Sequence, residues 1–150
     1  MAGMKMRVST SGEIAATTSA KTILRVKAAA ATPFIYRGGG ISFDGVTATD
    51  APIIVKLVIQ SSDGTPGSAI TPVNENQAVT YTPQCTANEN FSSTEPTISG
   101  ILASWEIHPQ GGGLIEDLAI NEPIIVTGRL GLQVTSANAV NCLAFFKIEE

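Results

Sequence analysis

Residues 53–60 read Ile53-Ile54-Val55-Lys56-Leu57-Val58-Ile59-Gln60. The odd positions of this stretch form an unbroken apolar row. Successive side chains of a β-strand point to opposite faces, so this alternation predicts a strand with one face on a core. Because the pattern repeats along the chain, it decides the fold class.

The same two-residue period recurs in residues 21–27, 101–108, 129–135 and 140–148, and weaker strands are expected near 79–83, 114–118 and 124–127. Glycine and proline turns separate these runs, and helix signals are poor. The pattern predicts an all-β protein, a β-sandwich or jelly roll of roughly eight to ten short antiparallel strands. With 150 residues the chain has material for one core, so a single sandwich domain is expected over residues 13–150.

Two stretches depart from plain alternation. The triplet Gly38-Gly39-Gly40 interrupts an apolar run over residues 34–43, and we expect a bulge or sharp bend there because glycine reaches backbone angles that other residues avoid. Residues 61–97 are rich in Thr, Asn, Ser and Pro. This composition predicts long exposed loops around one or two strands.

Composition argues against several classes of function. Nine Lys and Arg against thirteen Asp and Glu give a net charge of −4, which disfavours a nucleic-acid partner. No leader peptide is expected, because no apolar segment follows the basic residues near the N-terminus. No membrane-spanning segment is expected either, because the most hydrophobic run, residues 51–59, is interrupted by Lys56. Without such a leader, Cys85 and Cys142 are expected to be reduced thiols, although a disulfide between them stays open. One histidine and two cysteines predict neither a metal site nor a cofactor.

Glu106 and His108 are the best candidates for chemistry. They lie two residues apart on a predicted strand, so they share a face and could form an acid/base pair or half a metal site. No nucleophile or third ligand accompanies them in any known motif, and a polar outer strand face explains them as well. We therefore expect no enzyme. Trp105 has the apolar parity of its strand, which weakens a sugar-stacking role.

Apolar residues also occupy the outer faces of two predicted strands. Ile54 and Val58 flank Lys56, and Leu143 and Phe145 lie on the outward side of the last strand. Either a second layer of the same chain covers them or another subunit does, because large apolar patches rarely face water in monomers. The low charged fraction of 15% favours a homo-oligomer, a trimer before a dimer.

The N-terminus offers a third candidate surface. Residues 1–12 are expected to form an extended arm, either a frayed end or a strand added to a neighbouring protein's sheet edge. Its interface candidates are Met4, Lys5, Met6, Arg7 and Val8.

The order of these features resembles a group of small β-rich proteins encoded near the head genes of tailed bacteriophages, the head decoration or cement proteins. The resemblance covers residues 35–150 and is carried by GGISFDG (39–45), PIIVKL (52–57), WEIHPQGG (105–112), GRLGL (128–132) and AVN (139–141). These motifs are structural rather than catalytic.

The resemblance implies a sandwich protein on the outer capsid surface of a virion, made in the cytoplasm of the host bacterium. Such proteins often form trimers at three-fold positions and bridge neighbouring copies of the major capsid protein. The family supplies no catalytic residues. A receptor-binding or glycan-binding domain of a phage tail or fibre is the alternative, because small β-sandwich trimers serve there too.

Overall fold

Thirteen strands and one short 3-10 helix make up the regular structure in the computed structural model, which describes residues 3–44, 51–119 and 121–150. The strands are β1 (Lys5–Ser9), β2 (Ile14–Ala15), β3 (Lys21–Lys27), β4 (Phe34–Phe43), β5 (Ile53–Gln60), β6 (Ser68–Ile70), β7 (Val73–Asn74), β8 (Thr86–Glu89), β9 (Ile98–Ile107), β10 (Gly113–Asp117), β11 (Ile124–Val126), β12 (Arg129–Thr135) and β13 (Asn141–Glu149). The helix covers Pro109–Gly111. No helix in these ranges is long and apolar enough to cross a membrane.

All pairings between the strands are antiparallel, and they form two sheets. The seven-stranded sheet has the order β10-β4-β13-β1-β7, with β11 also on β4 and β2 also on β13. The six-stranded sheet has the order β6-β8-β3-β12-β5-β9. The core between them is filled by side chains from both sheets, among them the fully buried Phe34, Leu57 and Phe146.

This architecture confirms the predicted all-β sandwich. The number of strands exceeds the expected eight to ten because β2, β6 and β7 have only two or three residues. Strands of two or three residues are too short to show an alternating pattern in the sequence. They form by hydrogen bonding to a longer strand that is already in place.

The N-terminal segment differs from the expected arm, and Met1 and Ala2 lie outside the described residues. Lys5–Ser9 is a strand of the protein's own sheet, between β13 and β7. Met6 and Val8 are fully buried in the core, while Lys5 and Arg7 point outward. The arm expectation is therefore corrected: the alternation of these four residues is that of an ordinary half-buried strand.

The glycine triplet does not break its strand, because β4 runs unbroken through it. The pairing register with β13 shifts next to Gly38, which is the predicted bulge. Gly39 and Gly40 are needed for close approach, since a Cβ at Gly39 would lie 2.9 Å from the Phe146 ring and one at Gly40 would lie 2.6 Å from the Phe145 ring. These contacts let β13 lay one aromatic ring on each face of β4.

The polar stretch of residues 61–97 contains more strands and backbone pairing than the one or two strands expected from its sequence. Besides β6, β7 and β8, it contains two segments, 61–67 and 90–97, that hydrogen-bond to each other through Ser61 to Thr97 (2.8 Å) and Thr65 to Thr94 (2.8 Å). We call these two segments the cover. They lie against one half of the outer face of the six-stranded sheet, where they bury Phe91 completely.

Candidate interaction surfaces

The outer face of the seven-stranded sheet carries an apolar row. Ile115 of β10, Gly40 of β4 and Phe145 of β13 lie side by side in register, and Leu143 is the next outward residue along β13. Ile115 is 71% exposed and Leu143 is 44% exposed. Phe145 is half-buried because its ring lies on Gly40. This row exposes more apolar surface than an isolated side chain does.

A charged groove adjoins this apolar row. The groove has a volume of about 410 Å³ and is lined by Lys5, Arg7, Arg37, Glu75, Asp117, Leu118, Lys147, Ile148 and Glu149. Arg7 pairs with Glu75 at 2.8 Å, and Lys147 pairs with Asp117. The Arg7 guanidinium also lies 5.8 Å from the centroid of the Phe145 ring, a cation–π contact that joins the groove to the apolar row.

Glu149 is the most highly connected carboxylate lining this groove. Its carboxylate accepts hydrogen bonds from the Arg37 side chain and the Gly3 backbone N–H, both at 2.9 Å. Burial alone raises the pKa of Glu149, but these two hydrogen bonds and the positive charges of Arg37 and Lys5 together outweigh it and leave the pKa below its ordinary value. The carboxylate therefore stays charged and ties the chain start to β4 and β13.

A second apolar surface lies on the outer face of the six-stranded sheet, over β5 and β9. We call it the open half. Ile54 and Ile101 point outward here, and Ile98 and Leu102 extend the surface along β9. The open half also holds two charged side chains, which its register places close together: Glu106 lies opposite Ile54, and Lys56 is the next outward residue on β5.

The free edge of β9 is less suited to pairing than its length suggests. The register between β5 and β9 shifts twice, so that Leu102 and Ser99 lie at bulges. Bulges twist an edge strand and interrupt its row of backbone groups, which protects it against addition of a further strand. The side chains of β9 thus offer a better contact surface than its backbone does.

The covered half of the same face lies over β3 and β12. Arg25 points away from the core, donates to the backbone carbonyl of Asp63 and to Asn88 Oδ1 (2.8 Å), and stacks 4.8 Å from the centroid of the Phe91 ring. Asp63 in turn pairs with Lys27 at 3.0 Å and with Arg129 at 2.8 Å. Hydrogen bonds from Arg129 and then Lys27 lower the pKa of the Asp63 carboxyl well below its usual range.

Gln60 completes this covered half. It is buried, donates to Thr22 Oγ1 at 3.0 Å, and lies over Gly131, where a Cβ would be 2.5 Å from its amide nitrogen. The Thr22 backbone N–H donates to Glu95 of the cover at 2.8 Å. A small polar cluster therefore fills the space between sheet and cover.

The predicted interface residues divide between the two sheets. Lys5, Arg7, Leu143 and Phe145 come together on the seven-stranded sheet, and Met4 is half-buried directly before β1. Ile54, by contrast, is exposed on the open half. Met6, Val8 and Val58 are fully buried. Val58 lies outside the main core cluster, opposite Gly131 and Ile101. For Val58, the structure thus favours a layer of the same chain over a second subunit.

Sequence reasoning missed Ile115, Ile101 and the cover. Ile115 lies in a weak strand pattern, and Ile101 has the parity of core residues until the bulge at Leu102 turns it outward. The signal for the cover was Phe91, a large aromatic residue within an otherwise polar stretch.

Glu106 and His108 are both exposed, and His108 has a structural role. Its Nδ1 accepts a hydrogen bond from the Gln110 backbone N–H at 3.2 Å and so caps the short helix. Within residues 3–44, 51–119 and 121–150, no three His, Cys, Asp or Glu side chains are placed to hold a metal ion.

The two cysteines are buried and free. Burial raises the pKa of each thiol to about 12, and for Cys85 a hydrogen bond with Glu150 adds to the rise. Both therefore stay protonated, which suits small core residues and not nucleophiles. Trp105 is half-buried and packs against the core, and Tyr36 is buried, which disfavours both rings as platforms for stacking on a sugar.

What the exposed surfaces offer is contact area. Each combines apolar side chains with charged neighbours, the mixture found at protein interfaces. No protein-family model, curated protein or solved structure matches this chain.

Proposed function

We propose that this protein is a structural protein of a tailed-phage virion. In this proposal it decorates the outer surface of the capsid, bridges neighbouring copies of the major capsid protein and associates with copies of itself, as a trimer or a dimer. The observation that carries it is the outer face of the seven-stranded sheet, where the exposed Ile115 and Leu143 adjoin a charged groove.

The physical logic of such a protein is adhesion by many copies. An apolar row next to fixed charges gives contact area together with orientation. Each contact can be modest, because a shell holds many copies and their contributions act together against internal DNA pressure. The resemblance to decoration proteins over residues 35–150 supports the same role.

Binding to heads tests the proposal directly. Heads of the encoding phage that lack this protein are mixed with the purified protein, and we expect saturable binding to assembled heads and none to free capsid subunits. Heads that have bound it should retain DNA to a higher temperature. Equal thermal stability of heads with and without the protein would contradict the proposal.

A matched pair of variants locates the contact. Leu143→Asp, at a residue 44% exposed on the apolar row, should reduce head binding at least about tenfold, since it buries a charge in the contact. Val79→Asp, at a residue 43% exposed in the loop after β7, should leave binding unchanged.

The alternative role predicts other results. A receptor-binding or glycan-binding domain should bind a defined sugar on a glycan array and be present in few copies per virion. A decoration protein should approach the copy number of the major capsid protein, in the hundreds, which mass spectrometry of virions measures. Specific glycan binding with a low copy number would replace the decoration proposal.

A further inference from the structure

The open half of the six-stranded sheet concentrates exposed apolar side chains. Nine large hydrophobic residues are exposed in the described part of the chain, and four of them, Ile54, Ile98, Ile101 and Leu102, lie on β5 and β9. Monomers rarely leave such a group in water. The neighbouring half of the same face is covered by residues 61–67 and 90–97, so the open half begins where the chain's own cover ends.

Its charged residues distinguish this surface from the seven-stranded sheet. On that sheet, Arg7 and Lys147 already have carboxylate partners within the chain. On the open half, Lys56 and Glu106 have opposite charges and lie on the same face, yet neither has an ion-pair partner among the described residues. They are diagonal neighbours across Ile54 and Ser104.

We propose that the open half binds a second copy of this chain around a two-fold axis. An axis that lies in the interface and passes between Lys56 and Glu106 brings each copy's Lys56 opposite the other copy's Glu106. Ile54 then lies beside the axis, next to its own symmetry mate. The surface is self-complementary in charge. Pairing therefore buries its apolar side chains while each Lys56 and each Glu106 gains a partner of opposite charge.

This inference rests on the self-association part of the proposed function and names the face and symmetry that serve it. It selects a two-fold pair and leaves the outer face of the seven-stranded sheet free for the capsid. Head binding and pairing are measured in separate assays, so either can fail while the other stands.

Charge reversal tests the pairing in the purified protein. Sedimentation equilibrium should show a dimer for the unchanged chain. Lys56→Glu and Glu106→Lys should each raise the dissociation constant at least about tenfold, because each creates two like-charge contacts per dimer. The double variant Lys56→Glu/Glu106→Lys should restore the dimer, because it regenerates both ion pairs with reversed sign.

The control variant is Glu13→Lys, an exposed charge reversal before β2 that should leave the dimer intact. Circular dichroism and thermal unfolding establish that each variant is folded. A chain that sediments as a monomer at every concentration, a trimer, or a dimer that single reversals do not weaken would overturn the proposal. So would a double variant no tighter than the single ones.

Discussion

The two halves of the six-stranded sheet's outer face differ in the side chains they carry and in what covers them. Over β3 and β12, the cover buries Arg25 against Phe91 and holds Gln60 over Gly131. Over β5 and β9, by contrast, the apolar side chains of Ile54 and Ile101 remain exposed. One outer face of the same sheet is thus covered by the protein's own chain over β3 and β12 and is left exposed over β5 and β9.

Removing the main contact of the cover should give the largest effect. Phe91 is 0% exposed, and Phe91→Ala deletes its packing together with the ring under the Arg25 guanidinium. We expect a loss of about 3–5 kcal/mol in the free energy of unfolding, measured by urea denaturation.

The matched change on the open half is Ile101→Ala, at a residue that is 55% exposed. It should change the stability of the monomer by at most about 0.5 kcal/mol. If both variants lost similar stability, the distinction between a covered and an open half would be wrong.

Two glycines on either side of β5, Gly131 in β12 and Gly100 in β9, provide a finer comparison. A Cβ at Gly131 would lie 2.5 Å from the buried Gln60 amide, whereas a Cβ at Gly100 meets nothing within 4 Å. Gly131→Ala should therefore destabilise the protein by about 1–3 kcal/mol, because the new methyl group overpacks the site and disturbs the hydrogen bond from Gln60 to Thr22. Gly100→Ala should be neutral or stabilise it by up to about 1 kcal/mol, since alanine has less backbone freedom to lose.

Thermal unfolding of the two glycine variants decides this comparison. Equal melting temperatures would mean that Gln60 moves aside freely and that the covered half is loosely packed. A melting temperature lowered only by Gly131→Ala would place the tight packing under the cover.

The fold was predictable from sequence because alternation in residues such as Ile53, Val55 and Leu57 depends only on which face is buried. The surfaces were harder to predict. Val58 and Ile54 have the same parity, yet one is buried and the other exposed. Which of them gains a second layer depends on contacts with residues far away in sequence.

Bulges caused the other errors in assigning faces. Residue parity predicts a face only while the pairing register is constant, and the register shifts at Leu102 on β9 and beside Ile23 on β3. Ile101 therefore turns outward although Ala103 and Trp105 pack against the core. Met6 and Val8 show the opposite case, in which the alternation was plain but the N-terminal position suggested a free end.

The smallest effect is expected from the charge that fastens the cover. The Asp63 carboxylate accepts from Arg129 and Lys27, and these bonds hold its pKa well below its usual value of about 3.9. A carboxyl with a lowered pKa stabilises the folded state above its unfolded pKa, and the contribution is lost as the pH falls below about 5.

Because the Asp63 side chain is 50% exposed, Asp63→Asn should lower the free energy of unfolding by at most about 1 kcal/mol at pH 7. When urea denaturation is repeated at lower pH, down to pH 3, the difference in the free energy of unfolding between the variant and the unchanged chain should become smaller. The comparison variant is Asp117→Asn, on the seven-stranded sheet, where the Asp117 carboxylate pairs with Lys147 alone. It should lower the free energy of unfolding at pH 7 by less than Asp63→Asn does. A difference for Asp63→Asn that stays constant from pH 7 to pH 3 would show that the carboxylate charge does not hold the cover in place.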